Sequence, residues 1–98
     1  MDIIPTRLPE VLEIIPRLFG DDRGFFSESW NRDSWREVGI DLEFTQDNHS
    51  LSAQAGVLRG LHFQAPPRAQ DKLVRVVTGA VLDVAVDARK GIPRYGEW

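Results

Sequence analysis

Lys72-Leu73-Val74-Arg75-Val76-Val77-Thr78-Gly79-Ala80-Val81-Leu82-Asp83-Val84-Ala85-Val86-Asp87 is the stretch that decides the fold. Two runs rich in valine flank Thr78-Gly79, a dipeptide suited to a chain reversal, so the segment reads as a hairpin of Lys72 to Val77 with Ala80 to Asp87. In the second arm Leu82, Val84 and Val86 share one face, and Val81, Asp83, Ala85 and Asp87 share the other. That is the period of two expected of a strand. Just upstream, Ala65-Pro66-Pro67-Arg68-Ala69-Gln70-Asp71 interrupts the pattern, because proline cannot donate to a ladder.

Working further outward, Val57 to Gln64 reads as another strand and Leu51 to Gly56 as a loop. Extended chain begins at Leu42 and runs through Leu42-Glu43-Phe44-Thr45-Gln46-Asp47-Asn48-His49-Ser50. Nearer the N-terminus, Val11 to Phe19 is apolar and β-branched around Pro16, which suits an edge strand, and Gly20-Asp21-Asp22 supplies a turn. In Phe25 to Trp30, Phe26, Glu28 and Trp30 alternate with Phe25, Ser27 and Ser29. One helix is expected, near residues 31–38: Asn31 caps it, Asp33 lies in its first turn, Trp30 and Trp35 hold staple positions and Gly39 stops it. Many short strands with one small helix give an all-β class, a sandwich or open barrel of jelly-roll type. Gly91 to Trp98 ends in aromatic residues with no polar tail, so strand-like material is still being laid down there. The expectation is a single, incomplete jelly-roll over residues 1–98, the first part of a longer domain.

Composition bounds the function. With 98 residues the chain has room for one small domain, and a domain of that size buries only about 60–65% of its unfolded surface. There is no cysteine, hence no disulfide, thiolate metal site or cysteine nucleophile. Twelve basic against fifteen acidic residues give a net charge of −3, which argues against non-specific nucleic-acid or membrane binding and requires any anionic ligand to be held locally. The first fifteen residues carry acids and two prolines and do not read as a signal peptide. A cytoplasmic protein is the expectation.

No GxGxxG, GxxxxGK[ST], GxSxG or HExxH motif is present. The two histidines, His49 and His62, are too few for a usual three-ligand catalytic metal site without a carboxylate, so no metal is expected. Chemistry concentrates in Gln46-Asp47-Asn48-His49-Ser50, Arg59-Gly60-Leu61-His62-Phe63-Gln64 and Lys72-Leu73-Val74-Arg75. His62 alternates with Leu58, Gly60 and Gln64, and Lys72 with Val74 and Val76, each a polar group on a largely apolar wall. In a barrel such side chains converge, and a histidine and a lysine then act together as base and cation. The same residues also suit a hydrogen-bonded structural histidine and a lysine at a barrel rim.

Five ordered blocks, DDRGFFSESW, FTQDNHS, GVLRGLHFQ, the PP..Q.KLVR stretch and GAVLDVAVDARKG, closely resemble the N-terminal part of the dTDP-4-dehydrorhamnose 3,5-epimerase family. The resemblance implies a cupin-like jelly-roll that works without metal or other cofactor as a homodimer. Its substrate would be a dTDP-4-keto-6-deoxy sugar, epimerised at C3 and C5 in dTDP-rhamnose biosynthesis. By that likeness His62 is the general base and Lys72 stabilises the enolate oxygen. Arg23, Glu28, Gln46, Asp47, Asn48 and Arg59 bind substrate, with Arg23 and Arg59 on the diphosphate. Phe25 and Phe26 suit stacking on the base or packing in a core. In a regular strand Arg59 and His62 face opposite ways, a conflict that a glycine bulge at Gly60 relieves. The family's general-acid tyrosine and the aspartate that orients its base lie beyond the resembling part, and Tyr95 does not match that tyrosine's motif. A non-catalytic domain that binds nucleotide sugar or dimerises, a 3- or 5-only epimerase and a ketoisomerase remain alternatives.

Overall fold

A computed structural model describes all 98 residues. Its regular elements are four short strands and one helix: β1 (Asp2–Pro5), β2 (Leu12–Ile15), β3 (Leu18–Asp21), β4 (Gly24–Ser27) and α1 (Arg32–Glu37). The chain divides into two compact units, Met1–Asn31 with Val76–Trp98, and Arg32–Arg75.

The first unit holds both sheets, each an antiparallel pair. Strand β1 pairs β2 with Ile3 opposite Ile14 and Pro5 opposite Leu12. The loop between them is tied by Thr6, whose hydroxyl reaches the carbonyl oxygens of Leu8 (2.9 Å) and Val11 (2.7 Å). It buries Leu8, one of the two buried apolar side chains of the chain. Strand β3 pairs β4 with Phe19 opposite Phe26 and Asp21 opposite Gly24, leaving Asp22-Arg23 as a two-residue turn. The guanidinium of Arg17 sits 4.8 Å from the centre of the Phe19 ring, a cation–π contact.

The end of the chain folds onto the same unit. Asp87 N–H donates to the Glu97 carbonyl (2.9 Å) and Gly96 N–H to the Asp87 carbonyl (2.7 Å), closing a loop of turns. Arg89 reaches Glu10 at 3.1 Å, and Arg94 donates to the Arg7 carbonyl at 2.8 Å, so both arginines pin this loop to the β1–β2 connection.

In the second unit α1 begins directly after Asn31, as its capping sequence requires, and ends in a Schellman arrangement. Ile40 N–H donates to the Trp35 carbonyl (2.9 Å) and Gly39 N–H to the Arg36 carbonyl (3.1 Å), with Gly39 at φ +90°. Trp35 is buried, at 4% exposure, and Ile40 is half-buried. These are the two positions whose apolar contact accompanies that motif.

Strands with little helix agree with the all-β reading, but the elements differ from expectation in four ways. The single strand expected over Val11 to Phe19 is two, because Pro16 divides it and lets β2 and β3 join different sheets. The turn expected at Gly20-Asp21-Asp22 lies at Asp22-Arg23, and β1, unforeseen beside its prolines, pairs through Pro5 at a strand end. Beyond α1 no residue enters a ladder: the expected strand at Val57 to Gln64 is unpaired, and Thr78-Gly79 forms a bend whose arms do not pair. Every side chain from Thr45 to Val86 is exposed. An alternating sequence becomes a strand only against a neighbour that accepts its hydrogen bonds and covers one face, and these segments have none within their units.

Candidate functional site

The eight expected site residues divide between the units. Arg23 and Glu28 belong to the first, and Gln46, Asp47, Asn48, Arg59, His62 and Lys72 to the second. All eight are exposed.

Arg23 occupies the β3–β4 turn and is held there by Asp21. Its Nη2 lies 2.6 Å from Asp21 Oδ2, its Nε bonds both carboxylate oxygens at 3.2–3.3 Å, and its own backbone N–H donates to Oδ1 at 2.9 Å. The side-chain bonds from Arg23, helped by the backbone one, hold the Asp21 carboxyl below its usual range, and the carboxylate raises the guanidinium in return. The Arg23 side chain is 90% exposed, so water screens the pair. Around it Phe19, Asp21, Arg23, Gly24, Phe25 and Phe26 line an open depression of about 280 Å³. An arginine beside three phenylalanines, two of them strongly exposed, combines a cation with flat apolar faces. A phosphorylated aromatic ligand asks for both. Glu28 lies just past the end of β4, so the strand alternation that would aim it with Phe26 stops short of it.

In the second unit Gln46 donates through Nε2 to Asn48 Oδ1 at 3.1 Å, joining the two amides of the Gln46-Asp47-Asn48 run. Arg59 donates from Nε and Nη2 to Ser52 Oγ at 3.3 and 3.2 Å, and from Nη2 to the Leu51 carbonyl at 3.5 Å. Gly60 has φ +116°, a backbone state that breaks the extended run between Arg59 and His62. The strict alternation that set those two residues on opposite faces therefore does not apply to them. A side-chain carbon at Gly60 would stand 3.7 Å from His62 N and Nδ1, so the imidazole folds back beside the glycine. His62 and Lys72 carry no side-chain hydrogen bond or ion pair to protein. The imidazole ring and the ammonium are both open to solvent.

Three contributors escaped the sequence reading: Asp21, which orients Arg23; Ser52, which orients Arg59; and Phe19, which walls the depression. Asp21 was legible in principle, since an aspartate two residues before an arginine in a turn commonly accepts that residue's N–H. Ser52 was not, because its partner is seven residues away across a loop.

The model of the dTDP-4-dehydrorhamnose 3,5-epimerase family matches residues 5–98. A dTDP-4-dehydrorhamnose 3,5-epimerase of Shigella flexneri is 57% identical across the whole chain, which covers 54% of that protein. One from Pseudomonas aeruginosa is 56% identical over 95% of this chain and 52% of its own. A crystal structure of the Bacillus anthracis dTDP-4-dehydrorhamnose 3,5-epimerase with TDP and PPi bound superposes with a TM-score of 0.90 at 50% identity. It covers 99% of this chain and 55% of that one. The chain thus spans about half the length of these relatives, and it belongs to the dTDP-4-dehydrorhamnose 3,5-epimerase family.

Proposed function

We propose that this chain carries the base, the enolate-stabilising cation and the diphosphate-binding arginines of an epimerase acting on dTDP-4-keto-6-deoxy sugars, converting dTDP-4-dehydro-6-deoxyglucose to dTDP-4-dehydrorhamnose. The observation that carries the reading is the likeness to a solved relative with TDP and PPi bound, at half identity over nearly the whole chain. The exposed arginines are the complement such anions require.

The chemistry follows from the substrate. A C–H beside a ketone is acidic because its conjugate base is an enolate, with negative charge on the carbonyl oxygen. His62 accepts a proton from C3 and one from C5, imidazole being the side chain that exchanges protons near neutral pH. Lys72 supplies the positive charge against which the C4 oxygen develops its negative one. Inversion requires a proton delivered to the opposite face of each carbon by a donor other than His62, a role assigned to no residue of this chain, while His62 gives up to solvent the proton it took. No redox step occurs, and a base and a cation suffice for abstraction without a metal. Arg23 and Arg59 grip the diphosphate, Phe25 and Phe26 offer faces to the thymine, and Glu28, Gln46, Asp47 and Asn48 hydrogen-bond the remainder of the substrate.

The same reading makes residues 1–98 the first part of a cupin-like jelly-roll, working as a cytoplasmic homodimer. Electrostatic stabilisation of an enolate is largest where water is excluded, and the unpaired, exposed chain over residues 45–86 is the surface such a barrel would cover. That exposure favours a second reading, a β-domain that binds nucleotide sugar without turning it over.

Solvent deuterium incorporation into dTDP-4-keto-6-deoxyglucose, followed by NMR, decides between them. The epimerase reading expects exchange at C3 and C5 above the buffer rate, and its loss in His62→Ala with TDP binding retained. A folded chain that binds TDP and gives no exchange establishes the second reading instead. Wild-type exchange in His62→Ala overturns the assignment of the base.

A further inference from the structure

Arg59 differs from most ordered arginines of this chain in the company it keeps. Arg23, Arg32, Arg36, Arg89 and Arg94 each lie against a carboxylate. Arg59 is held instead by neutral acceptors only, the Ser52 hydroxyl and the Leu51 carbonyl. A carboxylate partner fixes a guanidinium but offsets part of its charge toward an incoming anion. A hydroxyl and a carbonyl fix it and leave the charge whole.

The geometry also divides the guanidinium's five N–H groups. The Nε–H and one Nη2–H converge on Ser52 Oγ, and the other Nη2–H is turned to the Leu51 carbonyl. Both N–H groups of Nη1 remain for a ligand. The contact spans seven residues, and the chain returns through the Ala55-Gly56 turn, where Gly56 has φ +78°. That turn sets Ser52 against Arg59 before any ligand arrives.

We infer that Ser52 is a positioning residue for diphosphate recognition, presenting Arg59 as an oriented and uncompensated cation. The inference rests on the reading of Arg59 as a diphosphate ligand given above, and it adds a residue which that reading does not contain. Orientation by a neutral hydroxyl removes part of the side-chain ordering that binding otherwise requires, so losing the hydroxyl weakens binding without touching the charge.

The test is calorimetric binding of TDP, and separately of inorganic pyrophosphate, to the 98-residue chain and four variants. Ser52→Ala is expected to weaken both ligands about three- to tenfold, the loss of one hydrogen-bonding group. Ser52→Thr, which keeps the hydroxyl, stays within twofold of wild type. Arg59→Ala weakens binding more, and Ser52→Ala added to Arg59→Ala does nothing further, because the serine acts only through the arginine. In 15N spectra the Arg59 Nε–H exchanges with water faster in Ser52→Ala, which reports loss of the Ser52 bond, while the non-additivity with Arg59→Ala is what a purely structural role would not produce. Wild-type affinity in Ser52→Ala, or an equal loss with Arg59 already removed, overturns the inference while leaving Arg59's own role intact. Undiminished binding by Arg59→Ala overturns the underlying reading, and this inference with it.

Discussion

Arg89 grips the Asp87 carboxylate along one full edge, Nε to Oδ1 at 2.9 Å and Nη2 to Oδ2 at 2.7 Å, while its own backbone N–H donates to Oδ1 at 3.0 Å. The Asp87 side chain is only 3% exposed. A carboxylate withdrawn from water persists as an anion only when its lone pairs are taken up in this way. Arg89 also reaches Glu10, so one guanidinium couples the terminal loop to the β1–β2 connection.

The coupling has an acid limit. The side-chain bonds from Arg89, then its backbone bond, lower the Asp87 carboxyl from 3.8 to about 2. Below 3.8 the unfolded chain takes up a proton that the folded chain still refuses, so unfolding gains protons and stability falls with pH. The contribution is fully present above about pH 4 and is lost as pH drops through about 2. Urea midpoints measured between pH 2 and pH 7 are expected to fall steeply in that acid window for wild type. Asp87→Asn should show a lower midpoint at neutral pH and a flatter acid limb, and parallel curves for the two proteins would contradict the assignment.

Gly39 sits at φ +90°, with its N–H on the Arg36 carbonyl and that of Ile40 on the Trp35 carbonyl. No atom would crowd a side-chain carbon there, so the requirement for glycine lies in the backbone alone. Gly39→Ala is therefore expected to cost about 1–2 kcal/mol, the ordinary penalty for forcing an L-residue into a left-handed state. Gly39→Asn should cost less, since asparagine tolerates the helix-ending position. Urea unfolding followed by the amide exchange of Ile40 tests both, and equal stabilities for the two variants would show that the cap does not constrain the chain.

Local signals in the sequence were enough for α1. Asn31, Trp35 and Gly39 each act within a few residues, and the helix ends where they say. They were less complete for the strands. The alternation of Leu82, Val84 and Val86 is plain in the sequence, yet period two states only which side chains share a face, never which strand lies alongside. The Phe19–Phe26 pair formed because a two-residue turn brings its partner within reach, whereas Val57 to Gln64 has no such neighbour.

For the candidate site, the sequence offered residue identities alone. Residue identities at Arg23, Arg59, His62 and Lys72 came from ordered blocks of sequence, and 57% identity to a relative over the full chain agrees with those blocks. Their surroundings did not follow. The turn sequence could have indicated that Asp21 holds Arg23, but nothing in the order of residues says that Ser52 orients Arg59, because that contact depends on loop geometry and on φ at Gly56 and Gly60.

Lys72 tests whether the proposed cation works in water or out of it. Two unit charges about 4 Å apart interact by about 1 kcal/mol in bulk water and about 4 kcal/mol at the effective dielectric of a protein site, or about fivefold against nearly a thousandfold in rate. In this chain Lys72 is exposed, so Lys72→Met is expected to slow deuterium exchange at C3 and C5 about fivefold. TDP affinity should move little, because the lysine addresses the sugar's keto oxygen and the arginines the diphosphate. The measurement is the NMR exchange rate at matched TDP-sugar saturation. A drop of several hundredfold would show that a water-excluded site assembles around the lysine in solution, and an unchanged rate would remove Lys72 from the chemistry.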